Sequence, residues 1–429
     1  MKRRFSSPPS CHIIVPVYRD VEVTRRCLDT LSKSALPSGT VVTLIDDASP
    51  DPGMSQLLLE FSCLPDWTVH QHQTNLGFVV SANEGLALHP TRDVVLLNSD
   101  TEVPANWLQR LREAAYTADD IGTVTPFTNS GSLASYPAPS IENPLPRGFS
   151  VQELDQLFHE ANPPAPIDIP VGVGFCLYIR RDCFDEVGIF DEGAFGKGYG
   201  EENDFCLRAT SRKWRHVLAP DCFIFHRGHA SFGDEKSARV QTAYELLIQR
   251  HPCYPKLLEN HFRNDPLLEC RLRVDALRIL HMRQRSPAVH DDDSVATAIS
   301  LCFQLNQISD RLVSVCWIAP GEAFRLWFSV PEHCERLQAA VHSLGLAPFP
   351  NIPTACTSRS GTPVHNLDRV SLLALVTEHG RPVQGTWYAI SQHAKEIILR
   401  FARNGNVKPV LRLISPTLRA RVGVWLKGR

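Results

Sequence analysis

Residues 94–103, VVLLNSDTEV, begin as an apolar run that gives way abruptly to polar residues from Asn98 to Glu102. A short apolar run of this kind is typical of a parallel strand that is buried on both faces. Open α/β sheets bind their ligands beyond the carboxyl ends of such strands. Asp100 supplies a carboxylate at that position, and carboxylates can hold a metal ion. The stretch therefore predicts an α/β sheet with a functional site at this edge.

Strand and helix patterns alternate along the chain up to residue 100. Apolar strand patterns occupy residues 12–18, 40–47, 67–73 and 93–100, and apolar residues at helical spacing fill 21–36, 54–61 and 79–88. This alternation is the signature of a Rossmann-like parallel sheet. The more polar strand 67–73 is expected at an edge of that sheet. The sequence therefore predicts an α/β fold class.

The chain is long enough for two domains, because 429 residues exceed the usual size of one. Residues 137–170 carry eight prolines and are expected to form an irregular surface excursion. The polar, aspartate-rich stretch 285–297 is the best linker candidate. Beyond it, strand patterns occur at 310–320 and 324–330 and helical patterns at 370–379 and 391–403. The predicted organisation is a tail at 1–10, a first α/β domain at 11–270, a linker at 271–295 and a smaller C-terminal α/β domain at 296–429.

Composition narrows the classes of partner. The 44 basic and 46 acidic residues give a net charge of −2, so nucleic acid is not an expected partner. Thirteen cysteines without a CxxC pair indicate a reducing, cytoplasmic compartment and no zinc site. No segment approaches the roughly 18 uncharged apolar residues of a membrane span. The basic amphipathic pattern of residues 415–427 leaves two alternatives, a peripheral helix on the inner face of the cell membrane or a helix docked on its own domain.

The residues that can carry chemistry are acidic. No GxGxxG follows the first strand and no Walker A motif occurs, which disfavours dinucleotide and P-loop chemistry. Carboxylates at strand ends can instead bind Mg²⁺ or Mn²⁺, and these ions bind phosphate. The candidate carboxylates are Asp46, Asp47, Asp100, Glu201, Glu202 and Asp204.

Each acidic cluster also has a purely structural interpretation. Asp46 and Asp47 precede Ser49 in a pattern that fits an Asx turn. The acidic residues of 201–204 fit the positive end of a helix, and Asp204 is spaced to pair with Arg208. Any one cluster taken alone leaves both interpretations open.

Six blocks in a fixed order carry a family resemblance. They are VPVYRD, IDDASPD, NLGFVVSANEGL, LLNSDTEV, VGFCLYIRRDCFDEVGIFDE and GYGEENDFCLRA. Residues 11–233 resemble family 2 glycosyltransferases of the GT-A fold, especially the bacterial rhamnosyltransferase-like group of surface polysaccharide and O-antigen biosynthesis. The resemblance implies inverting transfer of a sugar, with rhamnose as the first choice, from a dTDP-, UDP- or GDP-linked donor. The acceptor would be a hydroxyl of a growing cell-surface polysaccharide or lipid-linked glycan, and other glycosyltransferases would be potential partners.

The resemblance also implies a role for each block. The end of the first strand, the aspartate pair and the NLGF block would form the donor pocket. The implied donor-binding residues are Pro16, Val17, Tyr18, Asp46, Asp47, Asn75, Gly77, Asn83, Asn98 and Ser99. The NSD block stands where the family has its Asp-x-Asp motif, so Asp100 would bind Mg²⁺ or Mn²⁺. Asn98 replaces the first carboxylate of that motif and removes one charge from the metal site.

The later blocks would supply the rest of the chemistry. His226 would be a further metal ligand, with His229 as the alternative. Glu202 aligns with the catalytic base of the family, while Glu201 and Asp204 would orient it, bind the acceptor or stabilise the helix. Inverting transfer needs this inventory, because a base takes the acceptor's proton on one face of the sugar while the nucleoside diphosphate leaves from the other.

Two rival classes follow from the same residues. A sugar nucleotidylyltransferase would need a glycine-rich, basic loop after the first strand, where this chain has YRDVEV. A catalytically weak, donor-binding scaffold of a glycan assembly complex is the second rival, since Asn98 weakens the metal site.

Overall fold

The computed structural model describes residues 8–274, except 138, 140–141, 147, 229–233 and 272, together with residue 277 and the segments 302–305, 313–319 and 322–326. The chain divides into two compact units, Met1–Val274 and Asp275–Arg429. The predicted limits of tail, linker and second domain stay predictions.

The first unit begins with the predicted alternation of strands and helices. In chain order it comprises β1 (Cys11–Val17), α1 (Val21–Lys33), β2 (Val41–Asp46), α2 (Met54–Ser62), β3 (Trp67–Gln71), α3 (Phe78–Leu88) and β4 (Asp93–Leu97). All five residues of β4 are buried, as the apolar run predicted. Asp20 caps α1 by accepting a hydrogen bond from the Val23 amide at 3.0 Å, which fixes the point where the chain leaves β1.

The remaining elements of this unit are mixed. They are β5 (Thr101–Glu102), α4 (Trp107–Ala115), β6 (Ile121–Thr128), α5 (Val151–Ala161), β7 (Ile167–Ile169), β8 (Cys176–Ile179), α6 (Arg181–Val187), α7 (Glu192–Phe195), α8 (Glu201–Ser211), β9 (Arg215–His226), α9 (Asp234–Arg250) and α10 (Tyr254–Asn264). A short 3₁₀ turn spans Ser132–Ala134.

The central sheet has the strand order β3-β2-β1-β4-β8-β6-β9-β5, and β7 pairs with β9. The strands β3, β2, β1 and β4 are parallel, and β3 lies at the edge, as predicted. Beyond them the sheet is mixed, because β8 runs antiparallel to both β4 and β6 while β6 and β9 are parallel. The predicted α/β fold class with a parallel half is confirmed for this unit.

Alternate strand residues bury against opposite layers of helices. In β1, Ile13 and Val15 belong to the core cluster packed on α1, α2 and α4, whereas Ile14 belongs to the cluster packed on α3, α6 and α8. Because both faces of these strands are buried, their sequences are continuous apolar runs and do not alternate between apolar and polar residues.

One expectation about this unit is wrong. The proline-rich stretch 137–170 is not irregular throughout, because it contains α5 and β7. The prolines all lie outside α5, so none interrupts its backbone hydrogen bonds. Ser150 and Glu153 form a capping box at its start, with Ser150 Oγ accepting from the Glu153 amide at 3.2 Å. The local cap and the apolar face of the helix outweigh the proline content around it.

In the second unit, the described residues form a three-stranded antiparallel sheet of β10 (Cys302–Leu305), β11 (Val313–Ala319) and β12 (Glu322–Leu326). Strand β11 confirms the pattern at 310–320, and β12 overlaps the one at 324–330. The helices predicted at 370–379 and 391–403 and the amphipathic segment 415–427 lie outside the described residues. Across the part of the chain that is described, no helix combines the length and apolarity needed to cross a bilayer.

Candidate active site

A cleft of about 850 Å³ opens at the carboxyl ends of β1 and β4 and at the start of α8. Most of the predicted site residues line it, namely Pro16, Val17, Tyr18, Asp47, Asn75, Gly77, Asn98, Ser99, Asp100, Glu201, Glu202 and His226. Asp46, Asn83 and Asp204 are not among the lining residues. The alternative metal ligand His229 lies outside the described residues.

Asp100 and His226 meet at the floor of this cleft. The Nε2 atom of His226 lies 3.1 Å from Oδ1 of Asp100. The two residues come from strand ends that are joined by backbone contacts, since Thr101 pairs with His226 and the Arg227 amide donates to the Asp100 carbonyl at 2.9 Å. The Asn129 side chain binds the backbone of His226, because its Oδ1 accepts a hydrogen bond from the His226 amide and its Nδ2 donates one to the His226 carbonyl oxygen. Residues 126 positions apart are thereby held in contact.

The surroundings of His226 fix the state of its ring. Its Nδ1 lies 2.7 Å from the Ser130 carbonyl oxygen, which can only accept, so Nδ1 carries a hydrogen. The ring stacks on Phe175 with centroids 5.3 Å apart. Nε2 of a neutral ring then presents a lone pair toward a carboxylate oxygen, and a proton or a metal ion between the two atoms removes their repulsion. The carboxylate oxygen suits Mn²⁺ or Mg²⁺, and the imidazole nitrogen suits a transition metal such as Mn²⁺ better than Mg²⁺.

Asp100 remains a carboxylate in this setting. Burial by itself would raise its pKa, but the hydrogen bond and charge of His226, with backbone donors, outweigh burial and lower it. Among the described side chains, no group of three or more His, Cys, Asp or Glu residues is arranged to hold a metal ion. Asp100 and His226 are therefore at most two candidate ligands, and Asn98 stands where the family motif has a further carboxylate.

Asp47 lines the cleft, yet its carboxylate is already saturated with donors. Oδ1 accepts from His72 Nδ1 at 2.9 Å and from the Leu76 amide at 2.7 Å. Oδ2 accepts from Asn75 Nδ2 at 3.0 Å and from the Gly77 amide at 2.8 Å. A carboxylate offers about four acceptor positions. The geometry makes Asp47 the organiser of the Asn75–Gly77 turn rather than a group with free oxygens.

Gly77 lets this turn approach the opposite wall of the cleft. Its φ is +95°, and a Cβ atom there would lie 2.8 Å from the Cα of Lys197. A side chain at this position would therefore be strained in its backbone and would collide with main chain. The turn and the 196–200 loop touch only because residue 77 is a glycine.

The three predicted residues away from the cleft have their polar groups satisfied within the fold. Asp46 Oδ1 accepts from the Ser49 amide at 2.8 Å, which is the Asx-type interaction considered as its structural interpretation. Asn83 holds the Phe190 backbone at both its amide and its carbonyl, at 3.0 and 2.9 Å. These contacts favour structural roles for Asp46 and Asn83.

Asp204 lies in α8, the helix that carries the candidate residues Glu201 and Glu202, and takes part in a network of ion pairs. Its Oδ2 lies 2.7 Å from Arg208 Nε, the pair expected from the i, i+4 spacing, and its Oδ1 lies 2.9 Å from His251 Nε2. Arg208 also donates to the carbonyl oxygens of Val187 and Ile189, each at 2.9 Å. The network joins α8 to the residue after α9 and to the segment after α6, so it fixes where α8 begins.

Glu201 and Glu202 occupy the first turn of α8, and unlike the aspartates described above they are not fully hydrogen-bonded. Each has an Oε2 atom that is buried without a hydrogen-bond partner among the described residues. Glu202 Oε1 lies 3.4 Å from Asn203 Nδ2, and backbone donors near the carboxyl group, including that of Gly174, lower its pKa without outweighing burial. Burial raises the pKa of both carboxyl groups, and the neighbouring charge of Glu202 adds to the rise at Glu201. Adjacent buried carboxylates resist double ionisation, so the pair retains a proton at higher pH than a free glutamate would.

Sequence reasoning missed two sets of residues that line the cleft. The first consists of cations, Arg19, Lys197 and Arg239, and the second of aromatic residues, Phe78, Tyr199, Tyr244 and Tyr254. Lys197 and Tyr199 stand among the glycines that precede the acidic pair, so the glycine-rich run 196–200 was an available signal. Tyr244 and Tyr254 belong to α9 and α10, which carry no motif.

Residues 12–188 match the model of the family described as Glycosyl transferase family 2. These residues form a family 2 glycosyltransferase domain. The match and the strand order of the sheet together confirm the expected GT-A type of α/β fold for this part of the chain.

Two curated relatives are similar to part of this chain. An N-acetylglucosaminyl-diphospho-decaprenol L-rhamnosyltransferase of Mycobacterium tuberculosis is 28% identical in an alignment 203 residues long that covers 41% of this chain and 65% of the relative. Glycosyltransferase AglE of Haloferax volcanii is 21% identical over 223 residues, which is 52% of this chain and 68% of that protein. The chain thus spans about two thirds of the length of each relative.

Two solved structures have a low degree of similarity to this chain. GalNAc-T7 with UDP, GalNAc and Mn²⁺ has a TM-score of 0.41 at 15% identity, covering 52% of this chain and 44% of its own. The mannosyltransferase PcManGT from Pyrobaculum calidifontis with GDP-Man and Mn²⁺ has a TM-score of 0.43 at 16% identity, covering 67% of this chain and 82% of its own.

Proposed function

We propose that the glycosyltransferase domain catalyses the inverting, metal-dependent transfer of a sugar from a nucleotide-sugar donor to a hydroxyl of a glycan acceptor. The observation that carries the proposal is the coexistence, in one cleft, of the Asp100–His226 pair and the unpartnered carboxylate oxygen of Glu202. The first is a site for a cation and the second is a site for a proton. A transferase that uses a nucleoside diphosphate as leaving group needs both.

The donor would lie across the ends of β1 and β4. Pro16, Val17 and Tyr18 would contact the base and ribose, within a pocket shaped by the Asp47-held turn. Asp100 and His226 would hold Mg²⁺ or Mn²⁺, and the bound ion would neutralise charge on the diphosphate as it leaves. The cations Arg19, Lys197 and Arg239 line the same cleft and would add positive charge near the phosphates.

The transfer itself would be a single displacement at the anomeric carbon. The acceptor hydroxyl oxygen forms the new bond to that carbon while the bond to the diphosphate oxygen breaks, and the nucleoside diphosphate departs with the electron pair. The hydroxyl proton passes to the free Oε2 of Glu202. The raised pKa of Glu202 suits a general base, because a base works best when its pKa is near the working pH.

The finer assignment rests on resemblance. The mycobacterial relative is named as an L-rhamnosyltransferase that acts on a diphospho-decaprenol acceptor. We therefore propose dTDP-L-rhamnose as the first donor to test, before UDP- and GDP-sugars, and a lipid-linked glycan of cell-surface polysaccharide synthesis as acceptor. Such an acceptor would place the reaction at the cytoplasmic face of the cell membrane, beside other glycosyltransferases.

A donor-binding scaffold is the second candidate function. Asn98 favours it, because the metal site then has one carboxylate fewer. The unpartnered oxygen of Glu202 favours the enzyme, because a scaffold gains nothing from a buried carboxylate without a partner.

The test is a screen of purified full-length protein, with Mg²⁺ or Mn²⁺, against UDP-, GDP- and dTDP-sugars. Nucleoside diphosphate release and thermal shift are measured, with Asp100→Ala beside the wild type. One donor should stabilise the protein and be slowly hydrolysed, and Asp100→Ala should remove both effects. Donor binding without turnover under every condition would favour the scaffold, and absence of binding by any donor would contradict both.

A further inference from the structure

Three tyrosines form an aromatic wall beside the acidic pair that no role assigned so far uses. Tyr199, Tyr244 and Tyr254 all line the cleft. They come from the loop before α8, from α9 and from the first residue of α10. We refer to these three residues as the tyrosine wall.

The tyrosine wall is attached to the beginning of α8. A Cβ atom on Gly200 would lie 3.2 Å from Leu247 Cδ1 and 3.3 Å from Ala243 Cβ, so α9 packs directly against the residue that precedes Glu201. Ala243, Leu247 and Tyr254 belong to the buried core on this side of the sheet. The wall is therefore part of the folded domain, with Tyr254 in its core and Tyr199 and Tyr244 packed against that core.

Two of the three rings lie close together, and the third belongs to a residue with an unusual backbone conformation. Tyr244 and Tyr254 have ring centroids 6.3 Å apart and planes inclined by 58°. Tyr199 has a backbone φ of +79°, a conformation that residues with side chains seldom adopt. Strained backbone of this kind recurs where a side chain is presented to a ligand.

The hydroxyl groups of the wall have no hydrogen-bond partner within the described ranges of the chain. None of the three phenol oxygens is among the buried atoms that lack a partner, so each is accessible to solvent. The ring of Tyr254 is nevertheless well packed, since the residue is only 6% exposed. Burial, and after it the charge of Glu202, raises the pKa of Tyr254, which agrees with a position near the proposed base. The wall therefore offers three tyrosine hydroxyl groups that can form hydrogen bonds to a ligand bound beside Glu202.

We infer that the tyrosine wall is the subsite for the acceptor's sugar ring, which deepens the proposed function and rests on it. Tyrosine combines an apolar ring face with a hydroxyl that both donates and accepts, and a pyranose combines a face of C–H groups with a rim of hydroxyls. The tyrosine ring can pack on the C–H face of the pyranose while the phenol hydroxyls form hydrogen bonds with the sugar hydroxyls. The acceptor hydroxyl that reacts would then point to Glu202.

The lipid part of an acceptor fits the wall less well. A polyprenyl chain has no group to pair with the three hydroxyls, and covering them with hydrocarbon would remove water without replacing its hydrogen bonds. Each such loss weakens binding of the lipid. The chemistry of the wall thus favours a sugar over an isoprenoid.

The experiment uses full-length protein and two kinds of probe. Saturation-transfer NMR is recorded with methyl glycosides of N-acetylglucosamine, glucose, galactose, mannose and rhamnose, and separately with farnesyl phosphate. Tyr244→Phe, Tyr254→Phe and Tyr199→Phe remove one hydroxyl each and keep the ring. Tyr116→Phe is the matched control, because its hydroxyl donates to Asp93 at 2.7 Å and Tyr116 is not a cleft-lining residue.

At least one methyl glycoside should receive saturation, and each wall variant should weaken its binding about three- to tenfold, the range for one neutral hydrogen bond. Tyr116→Phe should not weaken it. In turnover assays the wall variants should raise the KM for the glycoside by the same factor while changing the KM for the donor less than about twofold.

Other outcomes separate the subsite from the proposed function. If a nucleotide sugar binds and is turned over but no glycoside receives saturation, the subsite is wrong and the transferase stands. If farnesyl phosphate alone binds and the wall variants weaken it, the wall is a lipid site and the inference is overturned. If a glycoside binds through the wall and no donor does, the subsite stands and the proposed function fails.

Discussion

At the donor side of the cleft, the four acceptor positions of Asp47 are filled by protein donors, whereas at the start of α8 one carboxylate oxygen each of Glu201 and Glu202 is buried without a partner among the described residues. The contacts of Asp47 fix the shape of the donor side. The two buried oxygens have a cost in folding free energy that a proton or a ligand would offset. Saturated groups thus shape the cleft, and unsatisfied groups are the candidates for chemistry.

The largest effect should come from the unsatisfied side. Glu202→Gln removes the proposed base but keeps the size and burial of the side chain. Nucleoside diphosphate release should fall by about 10²–10⁴-fold, the usual contribution of a general base, while thermal stabilisation by the donor persists. Glu60→Gln, the same change at a partly exposed residue of α2, should be without effect. If Glu201→Gln abolishes turnover and Glu202→Gln does not, the two roles are exchanged.

On the saturated side, the effect should be on stability. Asp47→Asn turns one acceptor oxygen into a donor that faces the donors of Asn75, Leu76 or Gly77. We expect the free energy of unfolding to fall by about 2–3 kcal/mol, measured by urea unfolding. Asp29→Asn on α1 serves as the control. An unchanged unfolding midpoint would mean that Asp47 does not organise the turn.

Gly77→Ala tests the contact between the two sides. Backbone strain and the 2.8 Å approach to the Lys197 Cα should together cost about 1–3 kcal/mol and weaken donor binding. Gly53→Ala is a matched control, because Gly53 has a φ of +90° but no atom within 4 Å of its would-be Cβ. Equal losses in both variants would show that strain alone acts and that the approach to Lys197 is unimportant.

The smallest effect should be a pH dependence at His72. Burial alone would lower the pKa of His72, but its hydrogen bonds to Asp47 and Glu84 outweigh burial and raise it. A raised pKa stabilises the fold fully below the unfolded-state value and loses this contribution as pH rises through the folded-state value. His72→Asn should therefore cost up to about 1 kcal/mol near pH 5.5 and less near pH 8.5, measured by urea unfolding at each pH.

His70→Asn, an exposed neighbour on β3, is the control for that measurement. A loss at His72 that does not vary with pH would mean that the charge of the imidazole makes no contribution.

The elements of the parallel half were predictable because their patterns are local. Ile13, Ile14 and Val15 are buried alternately on the two faces, and an uninterrupted apolar run records this in the sequence itself. Helix α5 was missed because prolines on both sides masked a capping box that lies within four consecutive residues, 150–153. The Ser150-x-x-Glu153 spacing of a capping box was the available signal for this helix.

The sequence by itself determined the order of strands and helices, the family resemblance and the residue types at the strand ends. Only the tertiary structure decided which of those residues are free to act. Asn83 stands in a motif, yet both polar atoms of its side chain bind Phe190, 107 positions away. Glu202 stands in another motif and retains an unpartnered oxygen. Local patterns follow from covalent spacing, whereas the satisfaction of a polar group depends on donors and acceptors that folding brings from distant parts of the chain.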